Sequence, residues 1–295
     1  MQKYKVAVLM ATFNGEEFIE DQINTIMEQK GVSVELFISD DGSSDNTLLI
    51  IRTLQKKFKN IHLLKPHSKK LGPGKNFYRL IKFLPKEAHS FISLSDQDDI
   101  WPKEKLLRAL NVLKSLNADG YSSDAIIFEG NLESKAYLKK SYPQKKYDFL
   151  FEGPGPGCTF VLNKRLFKKL QNFLIQTQTD FLYHDWLIYA FARAKNFSWH
   201  IDENPNIFYR QHHSNYFGAH KGFFSSMSRL SNILNGRWGE KVNQLFFLLD
   251  IKEFKRMSMK RRSSFFLRNI FQTRRRWSHA LMNIILIVIM KKICK

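Results

Sequence analysis

Alternating strand and helix signals predict an α/β protein, a mostly parallel sheet with helices on both faces, followed by a basic helical extension. Two observations carry this reading. Five short apolar runs rich in Val, Ile and Phe alternate with longer segments of helical apolar spacing, the pattern of strand–helix–strand units. From about Lys221 onward only helical periods remain, broken by Gly and Ser. With 295 residues, 43% apolar and 14% aromatic, the chain can bury a sizeable core and is globular rather than disordered.

The elements follow in order. KVAVLM (5–10) reads as a strand and EEFIEDQINTIMEQK (16–30) as a helix with an apolar face. VELFIS (34–39), IHLLK (61–65), SFISLS (90–95) and AIIFEG (125–130) are the further strands of the sheet. Between them NTLLIIRTLQKKF (46–58), KNFYRLIKFL (75–84) and KEKLLRALNVLKSL (103–116) have helical spacing. A Tyr-, Lys- and Pro-rich loop region (131–156) follows, with GPGPG at 153–157 as a breaker. CTFVLN then reads as strand, KRLFKKLQNFL and HDWLIYAFARAK as helices, and NIFYRQH as strand. We expect two units, residues 1–220 and a helical basic tail over 221–295, with no internal repeat.

Charge is unevenly distributed. Residues 221–295 hold 17 Lys and Arg against 3 Asp and Glu, which is +14 of the formal +20. Such a tail points to an anionic partner, either acidic lipid headgroups or nucleic acid. The apolar run LMNIILIVIM (281–290) favours lipid over nucleic acid, and a helical arm that packs on the domain with its charges merely solvated is the alternative to both. The run is shorter than the ~20 residues of a spanning helix, so an interfacial helix is expected. Cys158 and Cys294 lie far apart, which argues against a disulfide framework and fits a reducing compartment. MQKYKVAVLMATFNG has no long apolar core with a cleavage site, so no secretory signal is expected.

Polar clusters fall where three of the strands end: ATFNG, DDGSSD and DQDD. Ligands of open parallel sheets bind outside those carboxyl ends. In DDGSSDNT (40–47), Gly42 permits a positive φ and Ser44 or Asp45 caps the next helix. That does not explain the adjacent Asp40 and Asp41, which suit hydrogen bonds to a ribose or base. The loop lacks the spacing of a calcium-binding hand. In SDQDD (95–99), Asp99 is expected to start the following helix, whereas Asp96 and Asp98 suggest a hard divalent cation bridging to phosphates. Asp185 opens a helix, where capping and dipole alone favour an acid. YRQHHSN (209–215) offers Arg210 and two histidines as a phosphate clamp or metal ligand should it face the acids.

Taken together, VLMATFNGEEFIEDQINTIMEQ, VELFISDDGSSDNT and FISLSDQDDIW resemble the opening of a family 2 glycosyltransferase with the GT-A fold. GCTFVLNK, HDWLIYA and YRQHHSN resemble its bacterial rhamnosyltransferase-like branch, which builds cell-surface polysaccharides. The resemblance spans roughly residues 4–218, and several spaced motifs in order make it specific. It implies that Thr12, Asn14 and Asp41 hold the nucleotide, and that Asp96-Gln97-Asp98 is the DXD motif. Asp96 would lie by ribose or metal, Asp98 would meet the metal, Mg²⁺ or Mn²⁺, and His212 would complete that site. Asp185 would be the general base. Lys75 and Arg210 are candidates to neutralise the diphosphate, although a solvated Lys75 is the simpler expectation.

The implied reaction is an inverting, metal-dependent sugar transfer to a lipid-linked or growing glycan, with dTDP-L-rhamnose as the branch's most frequent donor. A UDP-hexose donor such as UDP-glucose or UDP-galactose is the alternative within enzymes. A non-catalytic basic scaffold for nucleotide or nucleic acid is the rival of another class; the acidic set argues against it. The expected location is cytoplasmic, peripheral on the inner face of the membrane. Two departures stand out: Pro102 follows Trp101 directly, and the stretch before Cys158 is unusually rich in Pro and Gly.

Overall fold

A computed structural model describes residues 4–67, 69–85, 89–130, 132, 135–212, 237–255 and 257–293. Its centre is a seven-stranded, mostly parallel sheet in the order β3-β2-β1-β4-β8-β5-β9, of which the apolar runs predict β1, β2, β3, β4 and β8. β1 (Tyr4–Thr12) runs parallel to both β2 (Val32–Asp40) and β4 (Phe91–Ser95), and β3 (Ile61–Leu63) extends β2 in parallel. β8 (Val161–Asn163) is antiparallel to its neighbours β4 and β5 (Gly120–Ser123), while β9 (Trp199–Asp202) is parallel to β5. Both faces of a parallel sheet are covered, so its central strands need apolar residues throughout. Alternation along β1 sorts them: Val6, Val8 and Met10 join one core cluster, Ala7 and Leu9 the other.

Helices α1 (Ile19–Met27), α2 (Thr47–Lys57) and α4 (Lys105–Ser115) cover the first face through Ile23, Ile51 and Leu106. Helices α3 (Pro73–Phe83), α5 (Lys164–Thr177) and α6 (His184–Ala194) cover the second through Phe77, Leu170 and Ile188. Strand ends fall as the sequence predicts, at Thr12, Asp40 and Ser95.

One predicted strand goes elsewhere. AIIFEG forms β6 (Ala125–Glu129) in a separate three-stranded sheet, β10-β6-β7, with β7 at Lys135–Leu138 and β10 at Phe208–Gln211. GYSS takes the expected place in the main sheet as β5, because the indole of Trp199 lies against Gly120. A Cβ there would meet the ring at 2.2 Å. Asp124, between β5 and β6, accepts hydrogen bonds from Ser141 N (2.8 Å), Ser141 Oγ (2.7 Å) and Tyr137 Oη (2.6 Å), and turns the chain out of the main sheet.

The described part of the tail is helical: α7 (Arg237–Leu249), α8 (Lys252–Lys255), α9 (Met259–Arg268) and α10 (Trp277–Ile293). Val242, Leu245, Phe246, Phe254, Phe266 and Leu286 join the core cluster on the α6 face. Asn283, which interrupts the apolar run of α10, is buried. Its amide donates to Thr273 Oγ1 at 3.0 Å and accepts from Arg274 Nε at 3.1 Å. The expected boundary at 220/221 and His213 lie outside the described residues.

Candidate active site

Three strand ends and two later segments converge on the carboxyl edge of the sheet. At the end of β1, Thr12 Oγ1 donates to Asp40 Oδ1 at 2.9 Å. Asn14 takes a positive φ of 47°, a conformation asparagine tolerates better than most residues. Its N–H donates to Ser43 Oγ (2.8 Å) and its side-chain oxygen accepts from Ser44 N (2.9 Å), fixing the DDGSSD loop over the strand. Asp41 accepts from the N–H groups of Leu71 and Gly72, both at 2.7 Å, and its Oδ1 lies 3.3 Å from His67 Nε2. The acid therefore organises the turn that starts α3.

Lys75, in the first turn of that helix, pairs with Asp180 at 2.6 Å. This ion pair belongs to the connection before α6, as does the bond from Tyr78 Oη to Phe181 O at 2.9 Å.

The DQD turn after β4 is held from two sides. Gln97 brackets the end of β1: its amide donates to Phe13 O (3.0 Å) and its oxygen accepts from Phe13 N (2.9 Å). From the other side, β10 exchanges two 3.0 Å backbone bonds between Phe208 and Ile100. Arg210 lies buried between the rings of Phe18 and Phe128, at 4.6 and 4.7 Å. Its Nε donates to Asp98 O at 2.8 Å and its Nη1 to Gly130 O at 3.3 Å. His212 Nε2 meets Asp98 Oδ2 at 2.8 Å. The guanidinium thus clamps the turn, and the histidine reaches the second acid of the motif.

Asp99 corrects an expectation. It does not start the next helix, which begins at Lys105 with Glu104 as its cap. It is fully buried. Its Oδ1 accepts from Arg210 N at 3.2 Å, while Oδ2 lacks a hydrogen-bond partner. Ligand atoms of Asp96, Asp99 and Cys158 all lie within 4.8 Å of one another. Desolvation, then the charges of Asp98 and Asp96, push the Asp99 carboxyl well above its ordinary range. Desolvation, Asp98 and Asp185 raise Asp96 to about 7.

Lys105 is the buried cation of this cluster. Its Nζ sits 3.8 Å from the Trp101 ring centroid, and desolvation lowers its pKa to about 8 against the opposing pull of Cys158 and Asp99. Sequence reasoning missed Cys158, Lys105 and the buried role of Asp99. The third acid of SDQDD, beyond the two of the DXD spacing, was the available signal.

Asp185 stands at the first turn of α6, its Oδ1 accepting the Trp186 N–H at 2.7 Å. Burial raises it to about 6, opposed by hydrogen bonds from the backbone and by the charge of Lys140. Its neighbour His184 stacks on Phe77 at 4.0 Å, and desolvation drops its pKa to about 3, so the ring is neutral. The GPGPG loop closes over this helix start. A Cβ on Gly157 would come within 2.7 Å of His184 Nε2 and 3.4 Å of Asp185 Cβ.

The tail supports the same corner. Trp238 of α7 stacks on Trp186 at 4.8 Å, and Arg275 binds Glu152 Oε1 through its N–H (2.6 Å) and Gly153 O through Nη2 (2.5 Å). The site thus gathers acids from the ends of β4 and the start of α6, with a neutral histidine and a buried lysine beside them.

Residues 7–197 match the model of glycosyl transferase family 2. The chain belongs to that family. It is 41% identical over 240 residues to the dTDP-rhamnosyl transferase RfbG of Shigella flexneri, covering 80% of this chain and 83% of the relative. It is 31% identical over 169 residues to the Escherichia coli UDP-Glc:alpha-D-GlcNAc-diphosphoundecaprenol beta-1,3-glucosyltransferase WfgD, covering 56% of this chain and 63% of that one. In fold it is similar to a mannosyltransferase from Pyrobaculum calidifontis solved with GDP-Man and Mn²⁺, with a TM-score of 0.54, 14% identity, and coverage of 85% and 69%. The chain is a glycosyltransferase, and its acidic strand-end cluster is the candidate place for that chemistry.

Proposed function

We propose that this glycosyltransferase moves L-rhamnose from dTDP-L-rhamnose, with inversion, onto a lipid-linked or growing cell-surface polysaccharide. The observation that carries the reading is the convergence of Asp185 and the DQD acids on one loop. A Cβ on Gly157 would lie 3.4 Å from Asp185 Cβ, and the ligand atom of the adjacent Cys158 lies within 4.8 Å of those of Asp96 and Asp99. A base for the acceptor and a binding place for the departing diphosphate thus share one corner. The rhamnosyl transferase relative supports the choice of sugar. WfgD, whose acceptor is a diphosphoundecaprenol glycan, supports the acceptor class.

The roles follow from chemistry. Thr12, Asn14 and Asp41 form the nucleotide side of the site at the ends of β1 and β2. The acceptor hydroxyl gives its proton to Asp185 as its oxygen bonds to the anomeric carbon. The bond from that carbon to the diphosphate oxygen breaks, and the nucleoside diphosphate leaves. Positioned base catalysis of this kind contributes about 10²–10⁴-fold. With one carboxylate base and no second carboxylate nucleophile, a single displacement inverts the sugar.

Hard oxygens of Asp96 and Asp98 suit Mg²⁺ or Mn²⁺, and His212, hydrogen-bonded to Asp98, would add an imidazole; among the described residues the ligand atoms that already lie together are those of Asp96, Asp99 and Cys158. Bound there, the cation would stabilise the leaving diphosphate as a Lewis acid. Arg210 holds the turn that carries these acids, and Lys75 braces the approach to α6. We read residues 1–220 as the catalytic unit. The tail over 221–295 meets an anionic surface at the inner face of the cytoplasmic membrane, where a lipid-linked acceptor is presented.

The test is a donor screen with Mn²⁺, reading thermal stabilisation and sugar-nucleotide hydrolysis. dTDP-L-rhamnose should give the largest effect, and EDTA should abolish hydrolysis. A stronger response to UDP-glucose or UDP-galactose would replace the donor assignment. Undiminished hydrolysis in EDTA would remove the cation.

A further inference from the structure

The two last helices present outward faces of opposite character. In α10, Ala280, Asn283, Leu286 and Ile287 are buried against the body, whereas Trp277, Leu281, Ile284, Ile285 and Val288 are exposed, Trp277 at 72%. At 3.6 residues per turn that exposed set, with Met282 at its edge, occupies one face about 160° wide, on the other side of the helix from Asn283, Leu286 and Ile287. Phe271, exposed at 57%, lies just before the helix. An apolar stripe of that length in water needs a partner.

In α9, Ser263 and Phe266 face inward while Lys260, Arg261 and Arg268 are exposed. These three cations, with Met257, Ser264 and Phe265, line an open groove of about 530 Å³. α9 and α10 pack against each other. One helix of the pair therefore offers apolar bulk and the other offers positive charge.

We infer that the α9/α10 pair is a docking surface for an anionic lipid bilayer, with the α10 stripe entering the headgroup–acyl boundary and the α9 cations binding lipid phosphates. The inference rests on the reading that the tail meets a membrane, and it names the surface that does so. Three features favour a bilayer over a second copy of the chain. The flanking charge is positive, as anionic headgroups require, and would repel itself across a two-fold contact. The stripe begins with a tryptophan, a residue that prefers the membrane–water interface. Among the described residues no helix is long and apolar enough to cross a membrane, so α10 would lie in the interface. Its 17 residues extend about 25 Å.

The experiment is cosedimentation of the full chain with vesicles of phosphatidylcholine alone or with 30% phosphatidylglycerol added. Thermal melts of each variant check that it is folded. The wild-type chain should bind the anionic vesicles and bind the neutral ones at least tenfold more weakly. L281S/I284S/I285S should lose at least tenfold in affinity at any salt. K260Q/R261Q/R268Q should lose about fivefold per cation at low salt, a loss that shrinks as salt rises.

If both variants are folded and bind like wild type, the chain meets membranes through another surface and the α9/α10 assignment falls alone. If the wild-type chain sediments with neither vesicle, the membrane reading falls with it. A wild-type dimer that the serine variant dissolves, without vesicle binding, would assign the stripe to a second copy instead.

Discussion

Replacing Asp185 by Asn separates the cost of the site from its use. Burial raises the folded-state pKa of Asp185 from 3.8 to about 6, whereas the unfolded chain ionises near the ordinary value. The folded state therefore holds the proton more tightly, and stability is lost as pH rises from about 3.8 through 6. A shift of about two units corresponds to roughly 3 kcal/mol once both states are ionised. Asp185→Asn removes that cost and keeps an oxygen to accept the Trp186 N–H. The variant should be more stable than wild type by up to about 3 kcal/mol at pH 8, by about half that at pH 5, and not at all below pH 3.5. In thermal melts, run in EDTA, the gain at pH 8 should appear as several degrees. Transfer should be abolished, and nucleotide binding should persist. In the wild-type enzyme, kcat/KM should fall about tenfold per pH unit below 6 as the base becomes protonated. A variant that is no more stable at pH 8, or that still turns over, would refute the assignment of Asp185 as a partly buried base with a raised pKa.

Other expectations test the loops around it. His212→Ala removes the imidazole 2.8 Å from Asp98 and should weaken Mn²⁺ binding about 10–100-fold, read by titration with Mn²⁺ electron paramagnetic resonance; unchanged affinity would remove His212 from the site. Gly15→Ala places a Cβ 2.5 Å from Gln97 Oε1 and should break the bracket between β1 and the DQD turn. At about 1 kcal/mol for each of two hydrogen bonds, denaturant melts should show roughly 2 kcal/mol of lost stability, with a raised donor KM, and wild-type values for both would refute the bracket's role.

The parts of this architecture that were legible in the sequence share a cause. Parallel strands buried on both faces must be apolar, so β1, β2 and β4 declare themselves, and their ends locate Thr12, Asp41 and Asp96. β5 was invisible because GYSS has no apolar alternation; its burial comes from Trp199 packing on Gly120, a partner 79 residues away. Lys105 lies in the stretch 103–116, whose helical spacing gives a lone lysine no signal of burial. Its burial depends on Trp101 and on acids from other segments, contacts that no local window contains. Asp99 misled for the opposite reason: an acid shortly before a helix is a familiar capping signal, and the six residues from Asp99 to the first helical residue, Lys105, are visible only in the fold.

The four acids and their surroundings also explain why the chain tolerates such a cluster. Asp96 and Asp99 crowd Cys158, and Asp96 and Asp185 each have a raised pKa. Desolvation heads the causes in each case, with neighbouring charge added at Asp96 and Asp99. Such a group of carboxyls opposes folding unless it is protonated or neutralised. Lys105 supplies one internal cation, buried beneath the turn. The backbone N–H of Arg210 supplies one hydrogen bond, and His212 another. These partners engage Asp98 and one oxygen of Asp99. They leave Asp99 Oδ2 without a hydrogen bond and leave Asp96 and Asp185 with raised pKa values. Carboxyls held in that state would gain stability from a divalent cation bound among them. Crowding of that kind is what a cation bound among these acids would relieve, which is how a binding site for charged ligands differs from a structural ion-pair network.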